Sequence, residues 1–257
     1  MAEEHRIEFH EAMDEIRSRV VRLGAIATEV IPRGTEALLG MDLRLAQRII
    51  DDDDTVDELS LDIEERAYNL LALQQPMARD LRFLITSIHL TSELERTADL
   101  VVNVCKGARR IYRCKFDPRI RGLIKAMSDE ATELTKHAMD AYVEADESLA
   151  SALDDIDDRL DELHTDYIEA VFDSHSAGNL DLQAAVQLAL IGRYYERIGD
   201  HAVNVGERIT YMVTGWLPEH TGVARVALKN RYRSSGVNDR QPASGSQGTQ
   251  PEERREE

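Results

Sequence analysis

One ten-residue segment of this chain occurs twice. Glu95-Arg96-Thr97-Ala98-Asp99-Leu100-Val101-Val102-Asn103-Val104 returns 101 residues later as Glu196-Arg197-Ile198-Gly199-Asp200-His201-Ala202-Val203-Asn204-Val205, and the matching positions include Glu, Arg, Asp and Asn. On a helix, residues four apart share a face. Glu95, Asp99 and Asn103 therefore form one polar stripe, and Glu196, Asp200 and Asn204 form its copy. A chain built this way must fold into two related helical halves and must place the same carboxylates in each.

Weaker echoes extend the duplication. Val56-Asp57-Glu58-Leu59 corresponds to Leu160-Asp161-Glu162-Leu163, and the stretch from Ala78 through Asp80-Leu81 to that from Ala177 through Asp181-Leu182. Few prolines, 5% aromatics and long Leu/Ala/Val runs mixed with charge point to an all-α protein. The simplest architecture is two tandem three-helix bundles: residues 1–115, then residues 116–218. Residues 219–257 shift to Gly, Ser, Gln, Pro and charge and read as a disordered tail, with a basic piece at Arg225, Lys229, Arg231 and Arg233.

Apolar periodicity sets the expected helices. The first runs from about Glu4 into the thirties, where Pro32 and Gly34 should kink or interrupt it. A short stretch from Leu43 to Ile50 leads into Asp51-Asp52-Asp53-Asp54, and a second helix follows to Gln74. The Gln75-Pro76 turn leads to a third, from Asp80 to Arg110. In the second half the expected spans are Arg119 to Glu144, Leu153 to Asp173 and Leu180 to Val213, with a turn from Ser174 to Asn179.

Charge excludes whole classes of function. Lys and Arg total 31 against 49 acidic residues, a net charge of −18. Such a surface repels a phosphate backbone, so a nucleic-acid partner is not expected. No apolar run approaches the ~20 residues of a membrane helix, and the charged N-terminus is no signal peptide. Cys105 and Cys114 lack zinc-type spacing and read as reduced thiols. The expected setting is the cytoplasm, without membrane insertion.

Four acidic pairs have helical i,i+4 spacing: Asp53/Asp57 and Glu95/Asp99 in the first half, Asp157/Asp161 and Glu196/Asp200 in the second. Helix lengths allow the pairs to meet across each hairpin but do not require it. Carboxylates that meet repel one another unless a cation holds them ionised. All-oxygen ligands suit a hard cation such as magnesium, manganese, calcium or iron. The competing reading is a solvated acidic surface, with Arg96 and Arg197 as ion-pair partners.

Catalytic patterns are thin. There is no phosphate loop, no HExxH and no serine elbow. Di-iron bundles need two Glu-x-x-His pairs, and the nearest relative of that pattern, Asp161 to His164, occurs once. His89, His137 and His175 are scattered, and His201 stands where the first copy has Leu100. No catalytic residue is assigned and an enzyme is not expected.

Glu196-Arg197-Ile198-Gly199-Asp200 with Asn204, and Gln74-Gln75-Pro76 ahead of Ala78-Arg79-Asp80-Leu81-Arg82, occur here within an internal duplication. Together they resemble the PhoU family, the accessory proteins of phosphate-specific transport systems, over about residues 5 to 216. Thr97-Ala98 replaces Ile-Gly in the first copy of the motif, and Pro32-Arg33-Gly34 is less typical. The resemblance implies two three-helix bundles, commonly as a homodimer. It also implies multinuclear clusters of iron or zinc held by paired carboxylate motifs. Here the motif carboxylates are Asp53, Asp57, Glu95 and Asp99 in one half and Asp157, Asp161, Glu196 and Asp200 in the other. With manganese or magnesium on chemical grounds, the expected cofactor is a metal cluster, and a metal-free form is the alternative.

Function follows from the same resemblance. It implies a negative regulator of the phosphate starvation response that bridges a Pst transporter, through its ATPase subunit, and a PhoR-type sensor histidine kinase. The protein would then sit peripherally at the inner membrane through those partners. The rival is a metal-binding bundle acting as an oxidoreductase or in iron storage.

Overall fold

The computed structural model describes residues 2–112, 114–115 and 117–216, with side chains from residue 6 onward. The expected tail lies outside the described residues. Among those described, the elements are α1 (Ala2–Gly40), α2 (Leu43–Gln74), α3 (Ala78–Arg110), α4 (Pro118–Glu144), α5 (Glu147–Ser176) and α6 (Leu182–Thr214).

Each half uses the same local chemistry to turn the chain. Asp42 ends the α1–α2 turn and accepts from the N–H groups of Arg44 and Leu45, and Asp146 does the same for Ser148 and Leu149. Both follow a residue in the left-handed region, Met41 (φ 51°) and Ala145 (φ 53°). The N–H groups of Asp42 and Asp146 bond back to Ala37 and Ala141, each at 3.0 Å, closing the preceding helix ends. Asp117 and Asp181 cap α4 and α6.

Two expectations about continuity fail. Pro32 does not interrupt α1, which runs through it to Gly40. Pro32 is exposed while Ile31, Thr35 and Leu38 are buried, so the proline removes a helix bond on the solvent side, where water can satisfy the freed carbonyl. The stretch Leu43 to Ile50 is not a separate helix; it is the start of α2, which carries the acidic run within it. The fifth helix starts at Glu147, ahead of the expected Leu153, because Asp146 caps it.

Packing is pairwise and symmetric. α1, α2 and α3 pack on one another, as do α4, α5 and α6, and the halves join through α1 with α4 and α3 with α6. The result is a four-helix layer, α2–α3–α6–α5, backed by α1 and α4. Buried residues recur at a constant offset in α1 and α4, as in Ile16 and Ile120, Leu23 and Met127, Leu38 and Tyr142. α3 and α6 run antiparallel: Arg82 Nε donates to the Met212 carbonyl (3.2 Å), and Arg110 meets Gln187 near the other end (3.3 Å).

A small polar network sits where the halves meet. Thr35 Oγ1 of α1 lies 2.7 Å from Ser128 Oγ of α4 and 2.6 Å from the Tyr195 hydroxyl of α6. All are buried, so each hydroxyl must be satisfied inside the protein. On α6, Gly206 allows close approach of α5: a Cβ there would stand 2.6 Å from the Ala150 carbonyl oxygen and 2.7 Å from Leu153.

Candidate functional site: two acidic grooves

The acidic pairs do meet across each hairpin. Asp53 feels the charge of Asp99, and Glu95 that of Asp57, which fixes the antiparallel register of α2 against α3. In the second half Asp157 likewise faces Asp200 across α5 and α6. Each groove has the same division of exposure. Asp53, Glu95, Asp157 and Glu196 are half-buried, and Asp57, Asp99, Asp161 and Asp200 are exposed.

Burial and like charge act together on the inner acids. Burial, then Asp99, then Asp57 push the Asp53 carboxyl up to about 6. Asp157 is pushed up to about 7 by burial first, then by Asp161 and Asp200. Glu95 is also raised, by burial and by Asp99. Asp157 sits closely against Gly199, where an added Cβ would meet its carboxylate and would come within 2.7 Å of Leu160. That contact gives the glycine of the second motif a physical role.

The two halves differ in their neighbours. The Arg193 guanidinium pairs with Glu196 and lies 4.0 Å from Asp200. Its counterpart on α3 is Ser92. Beside the first groove, Arg33 of α1 reaches Asp52 (3.9 Å) and Glu29 (3.8 Å). Arg193 was not singled out from the sequence, because a single arginine three residues before a motif glutamate carries no distinctive signal.

Sequence reasoning also missed Glu93. His201 Nδ1–H donates to Glu93 Oε2 at 2.6 Å, and Asn204 Nδ2 donates to the same oxygen at 3.1 Å. These bonds tie α6 to α3 beside both motifs. Burial pushes the Glu93 carboxyl up, but the bonds from His201 and Asn204 outweigh it and hold the group below its ordinary value. The signal was the exchange of Leu100 for His201: the second copy acquired a polar partner for α3. Asn204 thus serves the junction between the halves as well as its own stripe.

Because Glu93 of α3 meets His201 and Asn204 of α6, the two motifs lie level with each other. Helices packed side by side are about 10 Å apart, which places the grooves roughly 20 Å apart across the α3–α6 ridge. α1 and α4 cover the other side of the layer, so both grooves open on the same outer face.

The donors in each groove are all carboxylate, the chemistry of a hard cation. Asp157 Oδ1 and Glu196 Oε2 are buried oxygens with no hydrogen-bond partner among the described residues. As the side chains lie, no three Asp, Glu, His or Cys groups among the described residues converge to hold one metal ion. Donor chemistry therefore fits a cation, and the exposed acids would have to turn inward to complete a site. Among the described residues, no helix is long and apolar enough to cross a membrane. Cys105 and Cys114 are both free thiols.

The model of the PhoU domain matches twice, over residues 20–108 and 124–209. A phosphate-specific transport system accessory protein, PhoU homolog 1 of Mycobacterium leprae, is 34% identical over 215 residues, covering 83% of this chain and 96% of the relative. PhoU homolog 2 of Mycobacterium bovis is also 34% identical, over 83% of this chain and the whole of the relative. The crystal structure of PhoU from Pseudomonas aeruginosa superimposes with a TM-score of 0.76 at 25% identity, covering 81% of this chain and all of that one. The chain belongs to the PhoU family, and the six helices of its described residues form two PhoU repeats. Membership places it among regulatory accessory proteins, not enzymes, and sets aside the oxidoreductase reading.

Proposed function

We propose that this PhoU-family chain is a negative regulator of the phosphate starvation response, coupling a Pst-type phosphate transporter to a PhoR-type sensor histidine kinase. The relatives named as accessory proteins of phosphate-specific transport support the transport side of this reading. The observation that carries the coupling is the pair of equivalent acidic grooves on one face. Two like sites roughly 20 Å apart suit partners that present basic groups, and a body that holds both can bias their equilibria by differential binding. In this reading the transporter's ATPase subunit and the kinase are the partners, the protein works as a homodimer, and it is held at the cytoplasmic side of the inner membrane through them.

Two kinds of cation suit the grooves. Arg193 shows how a guanidinium pairs with one Glu196 oxygen and approaches Asp200, so a partner's arginine or lysine is the first. A hard metal ion, held by Asp53, Asp57, Glu95 and Asp99 or by Asp157, Asp161, Glu196 and Asp200, is the second, supported by the partnerless oxygens of Asp157 and Glu196. A bound metal would supply positive charge that keeps the acids ionised. The chain's own contribution is to hold the inner acids against α3 and α6 while the outer acids remain free to turn.

Replacing both Asp99 and Asp200 by Ala tests the grooves. The purified double variant should lose binding to the kinase or the ATPase subunit while staying helical and folded. Undiminished binding to both partners would remove the grooves from the mechanism. Titration with manganese ion, followed by electron spin resonance, separates the two cations: binding lost in the double variant supports the metal, and none in the wild type leaves the basic partner.

A further inference from the structure

At one end of the layer, away from the grooves, α1, α3, α4 and α6 enclose an open cavity of about 890 Å³. Its walls are partly apolar, with Phe83, Val143 and Met212 among the residues lining it. Two arginines, Arg17 and Arg79, also line it, and neither forms an ion pair among the described residues. The Arg17 guanidinium lies over the Phe83 ring (4.9 Å to the centroid) and the Tyr142 ring (5.7 Å). Stacking on two aromatic faces fixes the cation while leaving its N–H groups to point elsewhere. Arg79 is exposed, in the first turn of α3, and Met77 provides no side-chain cap for that helix start. The N–H groups at a helix start add positive character there.

The duplication supplies an internal control. In the other half the counterpart of Arg17 is Arg121, and its Nη1 donates to the Leu39 carbonyl at 3.0 Å. The counterpart of Arg79 is Leu180, which is buried. Ala184, also buried, stands in place of Phe83. At the opposite end of the pseudo-symmetric body, the corresponding positions thus hold a buried apolar side chain and a tied-down arginine. The cavity end has kept two uncommitted arginines around a hollow. Packing did not demand that difference, since the same framework accommodates both arrangements.

We propose that this end cavity binds a small organic oxyanion: one anionic headgroup, held by Arg17 and Arg79, on an apolar body lying against Phe83, Val143 and Met212. Its volume falls in the range of small-molecule sites. Asp14, Asp80 and Glu144 also line the cavity, so a headgroup of low charge is favoured over a polyanion. The headgroup chemistry is shared by a phosphate monoester and by a fatty carboxylate, and the test tells them apart.

The full chain is titrated with anilinonaphthalene sulfonate, an oxyanion on an aromatic body, and its fluorescence is followed. Arg79→Leu copies the residue of the opposite end at an exposed position, and should weaken binding about tenfold, the ordinary loss of one charged hydrogen-bond partner. Arg17→Met should weaken it similarly, and Arg121→Met at the opposite end should not. Displacement of the probe by adenosine monophosphate identifies a phosphate ester, and displacement by decanoate a carboxylate; either supports the site. Equal affinity in Arg79→Leu and the wild type, or a probe that neither competitor displaces, overturns the proposal.

Discussion

Gly206→Ala, compared with Gly122→Ala, isolates the effect of helix spacing in the second half. Both glycines lie inside helices, and by propensity alone each change to alanine should stabilise the fold by about 1 kcal/mol. At Gly122 an added Cβ meets nothing within 4 Å, so the full gain is expected. At Gly206 it would stand 2.6 Å from the backbone carbonyl oxygen of Ala150 and 2.7 Å from Leu153. A backbone oxygen cannot swing aside, so α5 must move away from α6, at an overpacking cost of about 3 kcal/mol. The net expectation is a loss of about 2 kcal/mol, or roughly 6 °C in melting temperature for a body of this size. Urea unfolding of both variants reads this directly, with unchanged m-values if the denatured state is unaffected. Since α5 carries Asp157 and Asp161 against α6, the same shift should also change the acidic groove. A Gly206→Ala variant as stable as Gly122→Ala would refute the claim that glycine sets this helix spacing.

Three further outcomes follow from the same contacts. Asp157→Asn should make the metal-free protein more stable near pH 8 and flatten its pH dependence. The raised group, about 7 when folded against 3.8 ordinarily, contributes stability that is fully present below pH 4 and lost as pH rises toward 7; urea midpoints at pH 5 and pH 8 measure this. Tyr195→Phe should destabilise by about 1–2 kcal/mol, because the buried Thr35 hydroxyl, which also bonds Ser128, loses a partner, and a change within 0.3 kcal/mol would contradict that network. Glu93→Ala should cost about 2–3 kcal/mol by leaving His201 buried without its acceptor, whereas His201→Leu, which restores the residue of the first copy, should cost less.

The residues that proved easy to read are those whose role repeats. The apolar periods of α1 and α4 and the two acidic pairs of each half recur at a fixed offset, so chance resemblance in one half is corrected by the other. Pro32 was misleading because a proline's effect depends on which side of the helix it faces, and only packing decides that. Leu43 to Ile50 was separated from α2 because four consecutive aspartates suggest a helix start, yet here the helix runs through them with much of the run in solvent. Glu93, Arg193 and the cavity arginines were hidden for a different reason. Each gains its meaning from a partner on another helix, or from lacking one, and neither is visible along a single chain.

The central claim is negative regulation. The most direct measurement is expression of phosphate-starvation genes in a strain lacking this gene and any paralogue, grown with abundant phosphate. Negative regulation requires constitutive expression, repressed again by the intact gene and not by the Asp99→Ala, Asp200→Ala form. Normal repression in the strain that lacks every copy would contradict it.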